Sequence, residues 1–133
     1  MTREELSQLF YLNREIEMDE QRLEMLMLKS QPGAQLLDGM PRSSGTSDRT
    51  GRYALAIVAL SGAIDEKRQY FVRERIRIER HIAGIDDDMI RQILTYRFVD
   101  GLRWRQVARR IGGTATEDSV RQRCSRYLRS TQA

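Results

Sequence analysis

The chain has 133 residues, of which 32% are charged and 40% hydrophobic, enough for one compact domain or a small domain joined to an elongated element. One cysteine and one histidine exclude an intrachain disulfide and a cysteine-based zinc cluster. The net charge of +4 is unevenly spread: residues 1–30 carry −3, whereas residues 101–133 hold eight arginines against Glu117 and Asp118. Positive charge gathered at one end is the electrostatic footprint of a polyanion site.

The first ten residues, MTREELSQLF, are charged and amphipathic with no signal peptide, and no apolar run approaches membrane-spanning length. A cytoplasmic protein without a membrane partner is expected. Residues 2–30 read as one long helix, opened by Thr2 and Glu5 at capping-box spacing. Leu9, Ile16 and Leu23 recur every seven residues, with Leu12 and Leu26 on the adjacent seam and Asp19 interrupting it. Met1, Met18, Met25 and Met27 add adaptable apolar surface.

A connection rich in Gly, Pro, Ser and Thr follows at about 31–51. Its Arg42-Ser-Ser-Gly-Thr-Ser47 stretch has phosphate-loop character but lacks the Lys-Ser/Thr ending of a nucleotide P-loop, so a flexible connector is expected. Residues 53–83 form a second long helix, in which Ile57, Ile64, Phe71 and Ile78 recur every seven residues beside Leu60 and Ile82. Two heptad helices joined by a loop predict a coiled-coil-like antiparallel hairpin over residues 1–84. Two helices bury little by themselves. Val72 and Ile76 widen the apolar face and favour a further contact, with the C-terminal domain or with another subunit in a homo-oligomer.

Residues 85–133 form the second expected domain. Asp86 is the expected N-cap of its first helix, with Asp87 and Asp88 favouring the positive end of the dipole; capping accounts for the three aspartates better than a metal site does. Ile90, Ile93, Leu94 and Phe98 supply the buried stripe, and Asp100-Gly101 ends the helix. A short helix over Trp104 to Ile111 packs through Trp104, Val107, Ala108 and Ile111, and Gly112-Gly113 then breaks the chain. The last helix runs about Glu117 to Arg129, with Thr114 or Thr116 as its cap. Val120, Cys124, Tyr127 and Leu128 form its inner face, making Cys124 a core residue rather than a nucleophile. The remaining outer face carries Thr116, Asp118, Ser119, Arg121, Gln122, Arg123 and Arg126, the side-chain types that read base edges and grip phosphates. The whole chain is therefore expected to be all-α, a helical hairpin followed by a DNA-binding helix-turn-helix domain.

Thr116-Glu-Asp-Ser-Val-Arg-Gln, continuing to Arg126-Tyr-Leu-Arg, resembles region four of the primary bacterial sigma factors, which reads the −35 promoter element. That resemblance implies Asp118 (in the place of a family Glu), Arg121 and Gln122 as base readers, while Glu117 and Ser119 stand where basic residues are usual. Gly39-Met-Pro-Arg42, Ser47-Asp-Arg-Thr50 and Gly101-Leu-Arg-Trp104 together are similar to small phage and prophage proteins of Gram-positive bacteria, sigma-like late-gene transcription regulators of the RinA and ArpU type. The resemblance implies control of phage late genes inside a host bacterial cell.

A transcription regulator that binds double-stranded DNA, with RNA polymerase as a further partner, is the leading expectation. Two other readings stand beside it: a small terminase-like DNA-packaging subunit, which would form a ring, and a protein-binding adaptor that uses the same fold without DNA. No catalytic constellation can be assembled around one His and one Cys, so no enzyme activity, metal or cofactor is expected.

Overall fold

The computed structural model describes residues 1–31 and 46–132, with side chains of the second segment described from residue 49. All regular structure among the described residues is helical: α1 (Arg3–Ser30), α2 (Thr46–Ala83), α3 (Asp88–Leu94), α4 (Trp104–Ile111) and α5 (Glu117–Thr131). No described helix is long and apolar enough to cross a membrane. Most of the expected loop, including Gly39–Arg42 and Arg42–Gly45, lies outside the described residues. The remainder corrects its boundary, because α2 begins at Thr46 and not near residue 53. A helix of this length outweighs the propensity cost of Gly51, about 1 kcal/mol relative to alanine.

The chain packs as two compact units, Asn13–Tyr70 and Met1–Leu12 with Phe71 onward. In the first, α1 and α2 run antiparallel: Lys67 pairs with Asp19, while Leu26 and Leu60, each about two turns further along in opposite directions, line one groove. Ile16 and Ile64 are buried, and Leu23, Leu26, Ile57 and Leu60 half-buried, as their heptad spacing requires. Asp19, the residue that interrupts the apolar seam, is only 5% exposed. It is matched rather than tolerated: the Lys67 ammonium donates to Asp19 and lies 2.9 Å from Glu15 Oε1. The hydrogen bond to Asp19, followed by that to Glu15, holds the ammonium above the ordinary lysine pKa. Arg68 and Glu20 add a pair one residue along.

The other unit has one continuous core. Ile90, Ile93, Leu94 and Phe98 meet Val107, Ala108, Val120, Cys124 and Leu128, and the same cluster takes in Leu6 and Leu9 of α1, Ile78 and Ile82 of α2, and Ile85. Packing thus runs across the turn at residues 84–85, where the chain changes from the long helices to the short ones. An Arg3 Nη2 to Ser125 Oγ hydrogen bond of 2.8 Å also joins the start of α1 to α5. Thr2 caps α1 as its spacing predicts, its hydroxyl accepting from the Glu5 N–H at 3.2 Å. Val72 and Ile76, expected to find a further contact, are 53% and 43% exposed.

Asp87, not Asp86, caps α3: its carboxylate accepts from the N–H groups of Met89 (2.9 Å) and Ile90 (3.2 Å). Three adjacent aspartates all satisfy the composition of a cap, and only the backbone trajectory selects the one with extended geometry (φ −81°, ψ 114°). α3 continues as a π-helical turn, Thr95–Val99, closed by the Asp100 N–H donating to the Thr95 carbonyl at 2.9 Å. From within this turn Arg97 donates to the Leu102 carbonyl at 3.0 Å and its guanidinium lies 4.7 Å from the centre of the Trp104 ring.

Candidate nucleic-acid interface

The candidate surface is built on α5, and its position depends on the connection from α4. Ala108 is small and buried, allowing α4 to approach its neighbours closely. At the end of α4 the Gly112 N–H donates to the Ala108 carbonyl at 3.0 Å, and the chain then turns through Gly112 (φ 76°, ψ −163°) and Gly113 (φ 62°). The Gly112 combination is open essentially to glycine alone. A Cβ at either position would meet nothing within 4 Å, so the requirement is backbone conformation and not space.

Of the two possible caps, the structure uses Thr116. Its hydroxyl accepts from the Ser119 N–H at 3.1 Å while its own N–H donates to Ser119 Oγ at 2.9 Å. Ser119 in turn donates to the Thr116 carbonyl at 3.0 Å. The Thr114/Glu117 spacing reflects the same turn of chain, displaced by two residues. Ser119 is thereby committed to the helix start, although it lies on the exposed face.

From this start Val120, Cys124 and Leu128 are buried and Tyr127 half-buried, so the inner face falls where its spacing puts it. Burial pushes the Cys124 thiol above its ordinary pKa, which keeps it protonated and inert. The opposite side exposes Thr116, Asp118, Ser119, Arg121, Gln122, Arg123 and Arg126 together. They are differently engaged. Arg121 Nη2 lies 2.8 Å from Asp118 Oδ1 within the helix, and Arg123 Nη2 lies 3.5 Å from Asp87 Oδ2 at the start of α3. Gln122 and Arg126 have no side-chain partner among the described residues. Met89, Gly112, Gly113, Gln122, Arg123 and Arg126 border an open groove beside the helix.

Asp87 is therefore shared between a cap and a surface arginine. The Ile90 N–H does most to hold its carboxyl below the usual aspartate pKa; desolvation opposes it, and Arg123 and the Met89 N–H add to the lowering.

Two arginines join this surface that the pattern reading of α5 does not include. Arg105 and Arg109 of α4 line a cleft with Thr116 and Glu117 at the α5 N-terminus. They stand four residues apart, off the stripe formed by Val107 and Ala108, so helical spacing on α4 carries their signal, while the spacing within α5 does not. Arg103 is differently placed, its N–H donating to Gln106 Oε1 at 2.9 Å to start α4. Chemically, the ensemble offers planar guanidinium forks, one amide and one carboxylate on a convex helix surface, the donor and acceptor set that suits base edges and phosphates. No family model matches the chain, and no curated protein or solved structure matches it.

Proposed function

We propose that this chain is a sequence-specific DNA-binding transcription regulator in which α4, the Gly112-Gly113 turn and α5 act as a helix-turn-helix. The observation that carries the reading is the outer face of α5: arginines 121, 123 and 126 with Gln122 and Asp118 stand exposed behind a capped N-terminus, opposite the buried Val120, Cys124 and Leu128. Such a helix, set into a major groove, presents its first turns to base edges and its later arginines to phosphates. Arg121 and Gln122 are the principal readers. Asp118 orients the Arg121 fork and accepts hydrogen bonds from a base amine; an exposed pair of this kind is worth only about 0–1 kcal/mol and exchanges easily. Arg126, with Arg105 and Arg109 at the other side of the turn, supplies phosphate contacts. The likeness of the α5 sequence to sigma region four supports a sigma-like activator of a phage or prophage, acting with RNA polymerase.

Selection of bound DNA from a random pool tests this directly. Wild type should enrich one sequence, and R121A and Q122A should each lose about 1–3 kcal/mol on it with relaxed base preference. Unchanged site selection by the double variant would refute the assignment of this face. Complete absence of salt-dependent DNA binding would favour a protein-binding adaptor instead. A ring of about eight or more subunits in solution would favour a DNA-packaging subunit.

A further inference from the structure

We propose that the outer face of α1 between Glu17 and Lys29 pairs, parallel and in register, with the same face of a second copy of this chain. Within Asn13–Tyr70 the inner seam of α1 runs through Ile16, Asp19, Leu23 and Leu26 toward α2. Met18, Gln21, Met25 and Leu28 lie two residues further on, about 200° around the helix. They repeat at the alternating spacing of three and four residues that defines a coiled-coil seam, with Met18 and Met25 in one set and Gln21 and Leu28 in the other. This second seam is open: Met18, Met25 and Leu28 are 49%, 53% and 49% exposed, and Gln21 is exposed beside them. Met18, Met25, Leu26 and Leu60 line a groove along it, extending the apolar surface to α2.

Charge selects the occupant. The positions flanking this seam are Glu17 and Glu24 on one side and Arg22 and Lys29 on the other. In a parallel pair each flanking residue faces the partner's residue five places on, so Glu17 meets Arg22 and Glu24 meets Lys29 of the second copy, in both directions. An antiparallel pair would set Glu17 against Glu24 and Arg22 against itself. All four side chains are exposed. Among the described residues Arg22 makes a single 3.7 Å contact, to Asp19, Glu17 accepts from the Asn13 amide at 3.3 Å, and Glu24 and Lys29 have no partner. The outward repeat of α2 in the same unit, Leu55, Val58, Gly62 and Asp65, places glycine and aspartate in two of its four positions and makes a poor seam. Gln21 at a seam position fixes the register at some expense of strength, so the association is a weak one.

This pairing stands apart from the DNA-binding reading and is tested without DNA, by sedimentation of the full chain over a wide concentration range. Wild type should reach the mass of two chains. E17K/E24K and R22E/K29E should each associate at least about tenfold more weakly, and their equimolar mixture should recover the pair, since all four contacts become attractive again. That recovery also shows both variants to be folded. Q21C, at the centre of the seam, should form an interchain disulfide on mild oxidation. A wild-type chain that stays monomeric, a dimer that the charge reversals leave unaltered, or a mixture that fails to recover would each overturn the proposal.

Discussion

Asp87 does two jobs with two oxygens: Oδ1 closes the start of α3 and Oδ2 faces Arg123. D87N keeps an amide oxygen for the cap and removes the charge facing Arg123, whereas D87A removes both. D87A should therefore lower the melting temperature, and D87N should lower it less while altering the salt dependence of DNA binding. The pH dependence has a definite sign. A carboxyl whose pKa is lower folded than unfolded contributes stability that is complete above its unfolded value, about 3.9, and is lost as the pH falls through the folded value. D87N should flatten the acid limb of the stability curve below about pH 4, as read by thermal melts across that range.

Asp19 raises a different question at the same scale. Its carboxylate is buried, and the Lys67 side chain that answers it is 31% exposed. Removing Lys67 strands the carboxylate, so K67M should cost about 1–3 kcal/mol by denaturant melts. D19L/K67M, which removes both charges and restores an apolar residue to the seam, should recover most of that loss. A double variant less stable than K67M would show that the pair contributes more than mutual neutralisation.

Among the elements, the turn between α4 and α5 carries the most specific demand. G112A should destabilise by about 1–3 kcal/mol although the site has open space, because the cost is backbone conformation. G113N should be much milder, since asparagine visits the left-handed region more readily than other side chains do. On α5, Arg126 belongs to the phosphate set, so R126A should weaken binding to all sequences alike and reduce the slope of affinity against salt by about one ion. The same titration applied to R105A and R109A separates phosphate contacts on α4 from bystander charge.

The periodicity of α1 and α2 is legible because each heptad residue meets an adjacent helix at a spacing that the backbone itself sets. The inner face of α5 is legible for the same reason. The start of α2 was not: Gly51 and the surrounding polar residues read as a loop, and helix propensity alone does not show that a long helix extends through them. Neither was the choice among Asp86, Asp87 and Asp88, nor that between Thr114 and Thr116, where composition is degenerate and only dihedral angles discriminate.

For the molecule as a whole, the core around α3, α4 and α5 includes Leu6, Leu9, Ile78 and Ile82. The last 49 residues taken by themselves (85–133) would therefore lack part of the apolar cluster that makes up their core. L6A removes a side chain only 1% exposed and should cost about 2–5 kcal/mol in the same transition that unfolds α5. Trp104, half-buried in this unit, reports that transition by fluorescence. If L6A left the unfolding followed by Trp104 unaltered, the start of α1 would not be part of this core.

The chain's sequence by itself determined the all-helical class, the two heptad seams, the apolar inner face of α5 and the arginine-rich face opposite it. Those properties follow from residue spacing on a helix of known pitch. Only the tertiary structure decided that Arg105 and Arg109 stand beside the start of α5, that Asp87 answers Arg123, that Lys67 answers Asp19, and that Leu6 shares a core with Cys124. These contacts join residues on different helices, mostly distant in sequence. No periodicity within one helix encodes which residue of another helix will face it.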